Sequence, residues 1–189
     1  MAYLALVRHG ESILNSQNKE CGWIDSPLTA LGHQQAQQTA EKIKNKKWDY
    51  VFESDLIRSQ QTTDEILKIL NDKNIVRISS PAIKERNYGV YANQDKSEVS
   101  QDIRRGWDVP IPQGESLKQV YERVVPYYQK EIEPKLNAGK NIIISGHGNS
   151  LRALYKYLKN LSNEEIERFE IPTGDCILLS FPPDPVRQI

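Results

Sequence analysis

Cysteine is scarce in this chain. Its 189 residues include only Cys21 and Cys176, far apart and in no Cys-x-x-Cys pattern. A disulfide framework is therefore not expected, and two free thiols in a reducing cytoplasm is the simplest reading. Neither cysteine has an arginine six residues later, so the thiolate loop of a cysteine-based phosphatase is absent. Net charge is lacking too: 25 Lys+Arg balance 25 Asp+Glu. Overall charge gives no reason to expect nucleic acid or an anionic membrane as partner, and any basic site must be local. No apolar run approaches the roughly 20 residues that span a bilayer. Met1–Val7 lacks the basic start and cleavage site of a signal peptide. A soluble, cytoplasmic protein is expected.

What is present is ordinary in amount, with 38% hydrophobic and 26% charged residues. The length suits one domain over 1–189 with a sizeable core. Short apolar runs at Tyr3–Val7, Tyr50–Phe52, Ile75–Ile78, Asn141–Ser145 and Cys176–Phe181 read as strands. Between them lie helical patterns. Thr29 caps a helix to about Lys44 with Leu31, Ala36, Ala40 and Ile43 inward, and another spans Ser59 to Leu70. A capping box of Ser116 and Gln119 opens a third, to about Lys135, which Pro126 should kink. Leu151, Leu154 and Leu158 mark a fourth, and Ser162 with Glu165 caps a short fifth. The stretch 79–115 carries Pro81, Gly89, Gly106, Pro110, Pro112 and Gly114 and reads as an irregular excursion over the surface. Alternating strands and helices predict an α/β fold, three layers about a mostly parallel sheet. In such sheets ligands bind beyond the carboxyl ends of the strands.

There are only three histidines, and two follow strands directly and precede glycine: Arg8-His9-Gly10 and Gly146-His147-Gly148. His33 falls on the polar side of the first helix and reads as a surface residue. Arg8 offers a planar fork of donors suited to phosphate oxygens. His9 beside it is a candidate donor, base or nucleophile. Gly10 would let backbone N–H groups approach a ligand, and Ser12 and Asn15 add short polar groups. After His147, Asn149 and Ser150 open a helix whose N-terminus favours an anion. Arg58 follows the second strand and Glu85 the third, so both come to the same edge. A carboxyl there suits general acid–base work. Taken singly, Arg58 and Glu85 read better as surface residues.

Together these strings resemble the histidine phosphatase superfamily and, within it, the cofactor-dependent phosphoglycerate mutases, over nearly the whole chain. The resemblance is carried by Val7-Arg8-His9-Gly10-Glu11-Ser12, Gly22-Trp23, Glu85-Arg86-Asn87-Tyr88-Gly89, Arg104-Arg105-Gly106, Gly114-Glu115-Ser116-Leu117, His147-Gly148-Asn149-Ser150-Leu151-Arg152 and Pro172-Thr173-Gly174. It implies interconversion of 2- and 3-phosphoglycerate, with 2,3-bisphosphoglycerate as phosphoryl primer and no metal. His9 would be the nucleophile, with Arg8, Arg58 and His147 clamping the phosphoryl group and Glu85 as general acid and base. Asn15, Cys21, Gly22, Tyr88, Lys96, Arg104, Arg105 and Asn149 match positions that hold the rest of the substrate; Ser12, Arg86 and Gly148 join that set. The irregular stretch 79–115 would cover the substrate. Phosphoglycerates are the implied partners, and monomer or homo-oligomer stays open.

Three features depart from the family pattern. Cys21 stands where threonine is usual, the stretch from Lys96 to Arg104 is short, and the chain stops at Ile189, soon after the last strand. A lid keeps water from a phosphohistidine, so the short tail implies more leakage to hydrolysis. The rival readings are a histidine phosphatase acting on another phosphomonoester, a silent phosphate-binding module, and a zinc site. The module should have lost His9 or Glu85, and zinc would be repelled by Arg8 and Arg58.

Overall fold

The first strand, β1 (Ala2–Arg8), is apolar without alternation, and Leu4, Ala5, Leu6 and Val7 are all buried. Such a strand belongs inside a sheet covered on both faces. After it come α1 (Ile13–Ser16), α2 (Ala30–Ile43), β2 (Tyr50–Glu53), α3 (Ile57–Leu70) and β3 (Val76–Ser79). The segment 79–115 holds two 3-10 turns, Pro81–Ile83 and Gly89–Tyr91, and the short α4 (Gln101–Arg105). Then follow α5 (Leu117–Tyr127), a π-helical stretch (Tyr128–Ile132), α6 (Glu133–Asn137), β4 (Ile142–Gly146), α7 (Gly148–Lys159), α8 (Asn163–Arg168) and β5 (Cys176–Phe181). The computed structural model describes residues 1–181. The tail after Phe181, and with it the expectation of an open lid, lies outside the described residues. Among those described, no helix is long and apolar enough to cross a membrane.

Among the described residues one five-stranded sheet runs in the order β3-β2-β4-β1-β5. All neighbours are parallel except β5, which pairs antiparallel with β1 at the edge. Successive side chains of a strand face opposite ways. Leu4, Leu6, Phe52, Ile142 and Ile144 therefore join a core with α5 and α7 through Val120, Val124, Leu151 and Leu154. On the other face Ala5, Val7, Val51 and Ile143 join Ala40 and Ile43 of α2 and Ile66 of α3. The result is the expected three-layer α/β/α sandwich with a mostly parallel sheet.

Two expectations need correction. In α2 the buried face is Gly32, Ala36, Thr39, Ala40 and Ile43, while Leu31 is 49% exposed. The helix is turned by a backbone contact, not by its largest apolar side chain. A Cβ on Gly10 would lie 2.1 Å from the Gly32 carbonyl oxygen, and one on Gly32 would lie 2.1 Å from that of Glu11. Only two glycines allow that approach. In the helix opened by the Ser116–Gln119 capping box, the break falls at Tyr128–Ile132 and not at Pro126. Pro134 has no N–H to offer the Lys130 carbonyl, and its ring would strike it. The turn widens instead, and the Glu133 N–H bonds the Tyr128 carbonyl five residues back.

Candidate active site

The parallel register of β1 and β4 pairs Arg8 with Gly146, so the next residue of each strand emerges side by side. Those residues are His9 and His147, and their ring centroids lie 5.0 Å apart. The His9 N–H donates to the Gly146 carbonyl at 3.1 Å, locking the two strand ends together. Both histidines are buried.

His9 Nδ1 lies 2.7 Å from the Gly10 carbonyl oxygen, and Arg58 Nε donates to His9 Nε2 at 3.3 Å. A carbonyl only accepts, so the proton sits on Nδ1 and the Nε2 lone pair faces Arg58. Burial, followed by the charges of Arg58 and Arg8, holds the His9 pKa well below its usual range. The same causes, burial first and Arg58 next, hold His147 low. Both rings are neutral near pH 7. Arg58 is itself buried, clamped by the carbonyls of Ile24 and Gly22 at 2.9 and 2.8 Å. Gly10 does something other than expected. Its N–H is taken by Thr62 Oγ1 at 3.1 Å, and its bareness admits α2 rather than a ligand.

Glu85 reaches the same place from the turn after β3. Its Oε1 accepts from the backbone N–H groups of Arg86 and Asn149 at 2.7 and 3.0 Å. The anion-favouring N-terminus of α7 thus holds a carboxylate of the protein. Trp23 Nε1 and Arg123 Nη2 both donate to the Glu85 carbonyl, at 2.7 and 2.8 Å. Arg123 is in turn paired with Glu115.

Arg8, His9, Arg58 and Glu85 line a cavity of about 90 Å³ that opens to solvent. The lining brings Arg8, His9, Arg58, Glu85 and Gly148 together with Lys96, Arg104 and Arg105; Asn15, Cys21, Gly22, Tyr88 and Asn149 complete the wall together with Glu20, Arg152 and Glu170. Six cationic side chains face three carboxylates, a local excess that the zero net charge conceals. Arg8 packs close to Gly148, where a Cβ would come within 3.3 Å of the guanidinium carbon. Tyr88 is buried, which raises its pKa and keeps the hydroxyl protonated, and Asn149 Nδ2 donates to that oxygen at 3.3 Å.

Three expected site residues do not line the cavity, and the first is His147, fully buried behind the His9 ring. Ser12 is fully buried, capping α1 with Asn15 and touching Cys21 Sγ at 3.6 Å. Arg86 lies beneath Tyr88, 4.5 Å from its ring centroid, and donates to the carbonyls of Ile103 and Arg104. Cys21 lines the wall with its thiol free and bonded by Asn15 Nδ2 at 3.2 Å. Sequence reading missed Glu20, Glu115, Arg123, Arg152 and Glu170. Glu20 and Glu170 have partners distant in sequence, as with Glu20, which accepts from Arg104 Nε at 2.8 Å; Glu115 and Arg152 fall inside the quoted motifs, which assign them no role. Among the described residues no three His, Cys, Asp or Glu side chains are grouped to hold a metal ion.

A cation-lined cavity at the carboxyl edge of a parallel sheet, with neutral His9 in its wall and neutral His147 buried behind it, defines a site for small polyanions. The family model described as the histidine phosphatase superfamily (branch 1) matches residues 4–187. Among curated proteins, the chain is 40% identical to a 2,3-bisphosphoglycerate-dependent phosphoglycerate mutase of Chelativorans sp., over 96% of this chain and 93% of that one. It is 36% identical to the mutase of the same name from Chlamydia muridarum, over 94% and 93%. The chain belongs to the histidine phosphatase superfamily and, by these relatives, to the phosphoglycerate mutase family within it. The fold is also that of a solved mycobacterial glucosyl-3-phosphoglycerate phosphatase, with a TM-score of 0.83 at 20% identity over 95% of this chain and 91% of that one.

Proposed function

We propose that this chain interconverts 2-phosphoglycerate and 3-phosphoglycerate through a phosphohistidine at His9, primed by 2,3-bisphosphoglycerate. One observation carries the reading: a single cavity is lined both by Arg8, His9 and Arg58 and by the second basic cluster of Lys96, Arg104 and Arg105. A ligand anionic at both ends matches it, whereas a phosphatase of broad specificity needs only the first. The names of the relatives at 36–40% identity support the mutase over the phosphatase alternative.

The residues fit a bisphosphorylated primer. Both ring nitrogens of His147, and Arg8 Nε, are buried without a hydrogen-bond partner among the described residues, and both side chains lie beside His9. When bound, 2,3-bisphosphoglycerate supplies the phosphoryl group that loads His9. The chain's own residues do the rest. The Gly10 carbonyl holds the Nδ1 proton and thereby aims the Nε2 lone pair at the phosphorus. Arg58, Arg8 and His147 surround that position as donors to the equatorial oxygens, where charge stabilisation matters most. Glu85, held through Oε1, keeps Oε2 to protonate the leaving oxygen and to accept the proton of the incoming hydroxyl. Lys96, Arg104 and Arg105 hold the substrate's other end, so that either hydroxyl can be presented to His9. The cytoplasm is the compartment that phosphoglycerate chemistry fits.

An assay of isomerisation with and without 2,3-bisphosphoglycerate tests the proposal. Turnover should require the primer, the phosphate trapped on the protein should be acid-labile and base-stable, and His9→Ala should abolish both. Release of inorganic phosphate without isomerisation would overturn the mutase reading.

A further inference from the structure

A carboxylate of the protein already sits among the cavity's cations. Glu170, in the loop between α8 and β5, bridges one arginine of each cluster: Oε1 accepts from Arg8 Nη1 at 2.8 Å and Oε2 from Arg105 Nη1 at 3.0 Å. Neither arginine needs it for placement. Arg8 Nη1 also donates to the Ile171 carbonyl at 2.6 Å. Arg105 donates through Nε and Nη2 to the carbonyls of Glu167 and Phe169 at 2.9 and 3.0 Å. The backbone of 167–171 positions both forks, and the carboxylate takes the donors that remain toward the cavity.

Glu20 makes the contrast. It bonds Arg104 with only 7% of its side chain exposed, a fixed counter-ion walled in by the protein. The Glu170 side chain is 52% exposed. Water already solvates one side of it, and rotation about its own side-chain bonds releases it into solvent. Its arginine partners are largely covered, at 14% and 25% exposed, so the exposed carboxylate is the side that can leave, and solvent on that side weakens the pairs. A phosphate dianion offers three acceptor oxygens and more charge to the same forks. A monoanion, or an ester with a neutral tail, offers no more than the carboxylate it must replace.

We propose that Glu170 is a resident, displaceable anion that makes the cavity selective for ligands of dense negative charge. The inference rests on reading this cavity as the phosphoglycerate site and adds a specificity-determining residue to it. It is distinct from a positioning role, which would require the carboxylate to stay in place when ligand binds.

The test uses the full chain and the Glu170→Gln variant, with calorimetric binding of inorganic sulfate and of 3-phosphoglycerate. Removing the resident charge should tighten sulfate by about fivefold, the scale of an exposed ion pair, and should tighten 3-phosphoglycerate less, narrowing the ratio between them. Weaker binding of both would assign Glu170 a positioning role and overturn the proposal, and so would unchanged affinities. Sulfate binding does not depend on turnover. If the parent protein fails to isomerise phosphoglycerates while the variant still tightens sulfate, the mutase reading falls and the displaceable anion stands.

Discussion

A single carbonyl decides which nitrogen of His9 faces the cavity. By accepting from Nδ1, Gly10 leaves Nε2 unprotonated and within 3.3 Å of Arg58. With its pKa held well below 6.5 by burial and two arginines, the ring stays neutral as the solution becomes mildly acidic. The sign follows: the neutral form exists above the folded-state pKa, so lowering that pKa extends activity toward acid. The rate of phosphohistidine formation should stay flat from pH 8 down through 6.5; a single-turnover profile that halves near 6.5 would contradict it. Glu85→Gln removes the proton carrier and keeps the shape, so kcat should fall by roughly 10²–10⁴ with KM little changed. Arg104→Gln should cost phosphoglycerate turnover far more than hydrolysis of a small aryl phosphate, and equal losses would remove Arg104 from the substrate-end clamp. Arg8, His9 and His147 were legible in the sequence because each sits at or just past a strand end, and Arg58 because it opens the helix after β2; topology sends such residues to one edge. Glu20, Arg123, Arg152 and Glu170 were not. Each acts through a partner at least 38 positions away.

Among the elements, α4 depends most on its neighbours. This helix of five residues is too short to be stable alone. Its C-terminal carbonyls are met by buried guanidinia from elsewhere: Arg86 on Ile103 and Arg104, Arg152 on Arg105 at 3.2 Å. Arg152 also donates to Asn149 Oδ1 at 2.9 Å and to the Ile166 carbonyl at 2.7 Å, tying α4 to α7 and α8. Burial lowers its pKa to about 10, still charged at neutral pH. Arg152→Lys keeps the charge and loses the fork. It should cost about 1–3 kcal/mol of stability and raise KM for phosphoglycerate roughly tenfold, while His9 still accepts a phosphoryl group. An unchanged KM in a chain destabilised by that amount would show that α4 holds Arg104 and Arg105 without Arg152. The caps at Thr29, Ser116 and Ser162 were readable because a side chain three or fewer residues from the helix start makes them. The wide turn at Tyr128–Ile132 was misplaced to Pro126 because Pro134, in the next turn, controls it.

Across the whole molecule, two buried neutral histidines couple stability to pH. Both have folded-state pKa values well below 6.5. The unfolded chain therefore binds protons that the native one refuses, once the pH drops under 6.5. Stability should be full above that point and fall below it, with a slope approaching about 1.4 kcal/mol per pH unit for each histidine. Urea midpoints at pH 7.5 and 5.5 measure the drop, and His147→Gln should reduce it; a midpoint that rises on acidification would refute the assignment. A further loss belongs lower. Gln37, then Lys68 and His33, hold Glu65 at about 2 between α2 and α3, so its contribution is present above 4.5 and disappears as the pH approaches 2. The three-layer architecture was legible because its periodicities are local, and the zero net charge hid the cationic cavity because only folding gathers its charges. The strand order has a consequence in time. β1 is synthesised first, yet it pairs only with β4 and β5. At ribosomal speeds of 5–20 residues per second, it waits roughly 7–28 s for a neighbour. Through that interval the nascent chain carries His9 without His147, an exposed apolar strand with no chemistry to perform. The protein becomes vulnerable to aggregation before it can become reactive, and chaperone dependence during synthesis should track the delivery of residues 142–146.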